Sequence, residues 1–205
     1  MDTLVLATHN AKKLRELRRI AEAAGVGVRV LGLDDLPSYP EPAETERTFE
    51  GNALIKARAA ASATGLPALA DDSGIEVDVL NTMPGVRSAR WAGPGASDAD
   101  NLDLLLRQID DVPDAERTAR FVCAMALVLP DGTEHVLRAT MEGWLGRDKR
   151  GQNGFGYDPA FVAEGHAQTN GELAPDAKDA ISHRGKAVRA MLAHLRGLDA
   201  PDGHR

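Results

Sequence analysis

Cysteine is all but missing from this chain of 205 residues: Cys123 is the only one, which excludes an internal disulfide. A single thiol fits a reducing compartment, and its place in an apolar run marks it as a packed core side chain. Long apolar stretches are missing too. The longest, Phe121 to Leu129, has nine residues, far short of the roughly 20 that span a bilayer. The opening Met1-Asp2-Thr3-Leu4 puts no basic segment ahead of an apolar one. No secretory leader and no membrane partner are therefore expected, and the protein is read as cytoplasmic. Positive charge is in deficit: 24 basic against 31 acidic residues leave a net charge of −7. Binding along a phosphate backbone wants a basic face, so no nucleic-acid partner is expected. Several catalytic signatures are also absent. There is no Gly-x-x-x-x-Gly-Lys-Ser/Thr, no Gly-x-Ser-x-Gly and no His pair at zinc spacing. Asp71 and Asp72 are adjacent rather than staggered, which disfavours an aspartyl phosphatase of the haloacid dehalogenase type.

What is present is an ordinary globular composition, 43% apolar and 27% charged. The length suits one domain, read as two lobes that the sequence does not separate. Thr3 to Ala7 reads as a buried strand. Ala11 to Ala24 follows as a helix, with Leu14, Leu17, Ala21 and Ala24 at helical spacing, Asn10 as its cap and Gly25 as its stop. Val26 to Leu31 is a second strand, and the acidic, proline-bearing residues 32–47 a loop. Phe49 to Thr64 is an alanine-rich helix closed by Gly65. Leu66 to Ala70 and Ile75 to Leu80 read as two strands around Asp71-Asp72-Ser73-Gly74, and residues 81–97 as a loop. Residues 98–109 form a helix, Phe121 to Leu129 a central strand, and Pro130-Asp131-Gly132 a turn into Glu134 to Leu145. A glycine-rich loop, 146–158, precedes a last helix from about His183 to Leu195, with Ser182 at its cap position. Strands alternating with helices, plus one hairpin, predict an α/β fold with a mixed central sheet flanked by helices.

Four segments can carry chemistry. Thr8-His9-Asn10-Ala11-Lys12-Lys13 opens a helix, where backbone N–H groups and the dipole suit an anion. A capped helix with solvated lysines would use the same residues. Ala70-Asp71-Asp72-Ser73-Gly74 sets two carboxylates in apolar surroundings, which is costly unless they bind a cation or hydrogen-bond donors. Such oxygen ligands suit Mg²⁺, and Glu41, Glu44 and Glu46 are further candidates. A plain Asp-Ser-Gly turn is the alternative. In Asn153-Gly154-Phe155-Gly156-Tyr157-Asp158-Pro159 the glycines clear the approach to an aromatic ring that can stack a base or lie buried under the turn. Ile181-Ser182-His183-Arg184-Gly185-Lys186 is a second helix start, with His and Arg donors and Lys178 just upstream. Charge clusters accordingly: residues 12–19 and 178–196 each hold five bases and one acid, and residues 98–116 hold seven acids and one base.

Taken in order, Thr8-x-Asn10-x-x-Lys13, Thr48-Phe49-x-x-Asn52-Ala53-x-x-Lys56-Ala57, Ala70-Asp71-Asp72-Ser73-Gly74, Phe155-Gly156-Tyr157-Asp158-Pro159 and Ser182-His183-Arg184-Gly185 resemble the inosine triphosphate pyrophosphatase family, in particular its bacterial dITP/XTP pyrophosphatases. The resemblance runs from Thr3 to about Leu195. It implies an elongated, two-lobed fold with its cleft between the lobes, a homodimer, and Mg²⁺-dependent cleavage of deaminated purine nucleoside triphosphates to monophosphate and pyrophosphate. By motif it implies Asp72 as general base and metal ligand and Glu44 as second metal ligand. Thr8, His9, Asn10, Ala11, Lys12 and Lys13 become the phosphate loop, and Ser73 a substrate contact. Phe155, Gly156, Tyr157 and Asp158 would hold the base and sugar end, and Lys178, His183 and Arg184 would add contacts. Lys56 shares a helix face with Asn52 and could reach phosphate; it is not assigned a role. Gly51 stands where many relatives carry Glu, and His9 where relatives often carry Gly. A regulatory module that senses a purine triphosphate without cleaving it is the other class of reading; the acids of Asp71-Asp72 and the nearby loop favour an enzyme. A Maf-type pyrophosphatase is a further enzyme reading, and the Ser182-His183-Arg184-Gly185 segment argues against it.

Overall fold

The computed structural model describes residues 2–199. The chain divides into two compact units. One comprises Met1–Asp72, Ala124–Arg138 and Gly185–Arg205; the other comprises Ser73–Cys123 and Ala139–Arg184.

In the first unit, strand β1 (Thr3–Leu6) lies parallel to β2 (Arg29–Gly32), with Thr3 opposite Arg29 and Leu6 opposite Gly32. Helix α1 (Ala11–Ala23) connects them, as a parallel pair requires. Asn10 caps α1 as expected, and Gly25 ends its last turn with φ at +65°. Val26 N–H donates to the Ala21 carbonyl at 2.9 Å. That bond keeps Val26 with the helix end, so β2 begins at Arg29 rather than at the expected Val26. Helix α2 (Phe49–Thr64) has the expected bounds, with Thr48 accepting from Gly51 N–H at its start. Its buried face consists of Phe49, Asn52, Ala53, Ala57, Ala60 and Ala61.

Strand β3 (Ala68–Val77) pairs parallel with β1 through Val5–Ala68 and Leu6–Leu69. Two strands with a break at Asp71-Gly74 were expected; one strand runs through the acids, and Asp78–Leu80 is a 3-10 turn. Asp disfavours strands on average, but a tertiary partner for each carboxylate overrides that preference.

The second unit packs around Ile75, Val77, Leu102, Leu105, Ile109, Phe121, Met141, Leu145, Tyr157 and Phe161. It holds α3 (Asp98–Gln108), strand β6 (Phe161–Ala163) and α4 (Pro175–Ile181). Strands β4 (Thr118–Val128) and β5 (Glu134–Leu145) each run through both units. β4 starts three residues before the expected Phe121. Its polar first turn is satisfied by carboxylates: Thr118 donates to Asp78, and Arg120 to Asp78 and Glu142. β6 runs antiparallel to β5, with Gly143 opposite Ala163. A side chain at Gly143 would meet the Val162 carbonyl at 2.1 Å, so only glycine allows this pairing. Neither β6 nor α4 was expected; at three and seven residues they are too short to show a period. The last helix, α5 (His183–Asp199), outruns the expected end at Leu195. The strand order is β2-β1-β3-β4-β5-β6, a mixed sheet as the α/β reading predicted. Cys123 is buried in β4.

Candidate active site

The sequence-derived residues gather in two clusters, one in each unit. The first forms where β1, β3 and the start of α1 and α2 meet. Beyond β1, the Ala7 N–H donates to the Leu69 carbonyl at 2.8 Å, which fixes the loop beside β3. Thr8 Oγ1 accepts from Asn10 N–H at 3.1 Å. Asn10 Oδ1 in turn accepts from the N–H groups of Lys12 at 2.9 Å and Lys13 at 3.3 Å. Two donors that the sequence offered to an anion are thus held by the cap itself. Ala11 and Lys12 are exposed at the helix start. Lys13, a turn further on, puts Nζ 2.8 Å from Asp71 Oδ2.

Asp71 and Asp72 are both buried. Lys56, on α2, donates to Glu44 Oε1 at 2.8 Å and to the Asp71 carbonyl at 2.7 Å, and lies 4.0 Å from Asp72 Oδ1. Asn52, one turn earlier, donates from Nδ2 to Asp72 Oδ2 at 3.0 Å. The cluster therefore sets three carboxylates against two ammonium groups. Burial pushes the Asp72 carboxyl above its ordinary pKa; the Lys56 charge and the Asn52 hydrogen bond oppose that, as does Lys13, while Glu44 adds to it. Burial acts to deprotonate Lys56, but Asp71, Asp72 and Glu44 outweigh it and its pKa is raised. Asn52 and Lys56 are the residues here that sequence reading left without a role. Their signal was the four-residue spacing on one helix face.

His9 is exposed, and its ring points at the acidic loop. Nδ1 lies 2.8 Å from Asp34 Oδ1 and Nε2 lies 2.7 Å from Glu41 Oε1. Carboxylates only accept, so both bonds form together only when each ring nitrogen carries a proton. These two bonds, Asp34 first, raise the His9 pKa. Gly51 has a local cause: a side chain there would come within 2.7 Å of Glu46 Cβ and Cγ.

Among the described residues, no group of three or more His, Cys, Asp or Glu side chains is arranged to hold a metal ion. Glu44 and Asp72 offer hard carboxylate oxygens only. That donor set fits Mg²⁺, which takes one or two carboxylates and completes its shell with water and phosphate.

The second cluster centres on Asp158, which is 2% exposed. It accepts from Phe155 N–H at 2.8 Å, from Asn170 Nδ2 at 3.1 Å and from Lys178 Nζ. A side chain at Gly154 would strike Asp158 Oδ2 at 2.1 Å, and φ there is +76°. Gly156 N–H donates to Asp98 Oδ2 at 3.0 Å, tying the turn to the start of α3. Held this way, Phe155 stays 42% exposed. Lys178 Nζ lies 5.2 Å, and Arg184 Cζ 5.7 Å, from the centre of its ring. Arg184 also reaches Ser73 Oγ at 3.5 Å. Tyr157 is core: it donates to the Ser88 carbonyl at 2.8 Å, and burial raises its phenol pKa strongly. His183 is buried and stacks on Phe121, the rings 4.9 Å apart and 8° from parallel. The structure thus places Phe155, Lys178 and Arg184 around one exposed ring, with Gly156, Tyr157, Asp158 and His183 in the frame beneath. Asp98 and Asn170 belong to this frame and carried no local signal in the sequence.

Comparison with known proteins agrees over nearly the whole chain. A sequence model of the Ham1 family matches residues 4–194. A dITP/XTP pyrophosphatase of Cutibacterium acnes is 60% identical over 203 residues, covering 96% of this chain and 100% of that protein. Among solved structures, a HAM1 protein from Coxiella burnetii superimposes with a TM-score of 0.89 at 40% identity, covering 96% of this chain and 100% of its own. A nucleoside-triphosphatase, dITP/XTP pyrophosphatase, from Mycobacterium abscessus gives 0.78 at 52% identity, covering 93% and 98%.

Proposed function

The chain belongs to the Ham1 family, and from that premise we propose that it is a Mg²⁺-dependent pyrophosphatase of deaminated purine nucleoside triphosphates: ITP, dITP and XTP. The products are the nucleoside monophosphate and pyrophosphate. The observation that carries the reading is the cluster of Glu44 with the buried Asp71 and Asp72 against Lys13 and Lys56. A pure sensor of a polyanion gains nothing from three acids there. An enzyme that must deprotonate water and share a cation with phosphates does.

In this reading Lys13 and Lys56 carry positive charge to the phosphates. Asp72 accepts the proton of the water that attacks the α phosphorus. Its raised pKa makes it a stronger base than an exposed carboxylate. Glu44 and Asp72 would hold Mg²⁺, which when bound supplies charge against the phosphate oxygens. At the other end, the exposed Phe155 ring stacks the purine, and Arg184 donates to a 6-oxo group. An adenine 6-amino group cannot accept that bond, and an unpaired donor costs about 1–3 kcal/mol. The same reading makes the protein a cytoplasmic homodimer that removes such nucleotides before they enter DNA or RNA. Among the described residues, no helix is long and apolar enough to cross a membrane.

Incubation with ITP and Mg²⁺ tests the proposal. IMP and pyrophosphate are expected, with turnover abolished by EDTA. IDP and orthophosphate as first products would overturn it.

A further inference from the structure

Asn52 is fully buried, on the first turns of α2. Asparagine is a poor helix former, and a buried amide is costly unless its hydrogen bonds are made. Both ends of this amide are engaged. Nδ2 donates to Asp72 Oδ2 at 3.0 Å, and Oδ1 accepts from the Glu46 N–H at 3.0 Å. The partners fix which way the amide points. A carboxylate only accepts and a backbone N–H only donates, so the flipped amide would set like against like at both ends.

Two consequences follow for the cluster. The bond from Asn52 holds Oδ2 of Asp72, while Oδ1 lies 4.0 Å from Lys56 Nζ, so the carboxylate is held between two side chains of α2. The bond from Glu46 holds the acidic loop two residues past Glu44. Glu44 itself is gripped by Lys56, one turn along the same helix. A rigid helix thus sets a strand carboxylate and a loop carboxylate at a fixed spacing.

We infer that Asn52 is a positioning residue: one amide orients Asp72 and anchors the loop of Glu44, so that α2 sets the geometry of the pair. This rests on the function proposed above for Asp72 and Glu44. The competing view is that Asn52 only satisfies a buried loop N–H.

Two variants separate the views. Asn52→Ser is too short to reach either partner. Asn52→Asp keeps the shape and the bond from Glu46 but turns the donor toward Asp72 into an acceptor. For each, kcat and KM with ITP are measured, together with Mn²⁺ binding to the nucleotide-free protein by electron paramagnetic resonance. Orienting groups behind metal ligands typically contribute about 10–100-fold. For Asn52→Ser, kcat is expected to fall at least about 10-fold with KM for ITP nearly unchanged, and Mn²⁺ affinity to fall about 10-fold or more. Asn52→Asp is expected to lose kcat similarly. Should Asn52→Ser fail to fold, the isosteric variant decides. A variant that keeps wild-type kcat and Mn²⁺ affinity, even with a lower melting temperature, overturns the inference. A wild-type protein that binds Mn²⁺ but does not cleave ITP would instead count against the proposed function.

Discussion

Asp72 is held against its own preference. Burial favours its neutral form, while Lys56 and Asn52 restrain the shift. For an acid whose folded pKa is raised, the charged form weakens the fold above that pKa, and the penalty is relieved as the pH falls through it. Asp72→Asn removes the charge and keeps the shape. The variant should therefore melt at or above the wild-type temperature near neutral pH, while kcat falls by about 10² to 10⁴-fold. Calorimetry and steady-state kinetics on one preparation check both; full activity would remove Asp72 from the chemistry. At this scale the sequence was informative wherever a residue acts through its neighbours in the chain. The adjacent acids, the Asn10 cap and the glycines around Phe155 were all legible. Asn52 was not, because its partner Asp72 lies 20 residues away and only the fold brings them together. The frame under Phe155 was hidden for the same reason: Asp98 meets Gly156 across 58 residues.

Between elements, the ring of His9 ties the β1–α1 loop to the acidic loop at Asp34 and Glu41. The tie needs the imidazolium. Its folded pKa is raised, so its stabilisation is present below the ordinary histidine value and is lost as the pH rises through the folded one. Titration of the His9 ring by NMR should give a pKa above 6.5, and Asp34→Asn should move it back toward that value. A wild-type value at or below 6.5 would show that the tie does not form in solution. Helix α2 was read from the sequence with its correct bounds because its cap and its stop are local, whereas α5 runs past the end expected at Leu195. β3 was misread as two strands because its acids are strand-averse in isolation. Lys13 and Asn52 satisfy them only once α1 and α2 are in place.

Over the whole molecule, the two units are interleaved along the chain, three segments in one and two in the other. No shift in composition marks such a division, so the sequence could not draw it. Of the chain's four passages between the units, one falls between Asp72 and Ser73 and one between Arg184 and Gly185. Both passages fall inside the motifs that carry the proposed chemistry. Asp72 of the carboxylate cluster and Ser73, which receives the bond from Arg184, are covalent neighbours.

The central claim is that this carboxylate cluster directs water to the α phosphorus of a deaminated purine triphosphate. Hydrolysis of ITP in ¹⁸O-labelled water, with the products separated and weighed by mass spectrometry, tests it most directly. The label is expected in IMP and none in pyrophosphate. Label in pyrophosphate would mean attack on the β phosphorus and would contradict it.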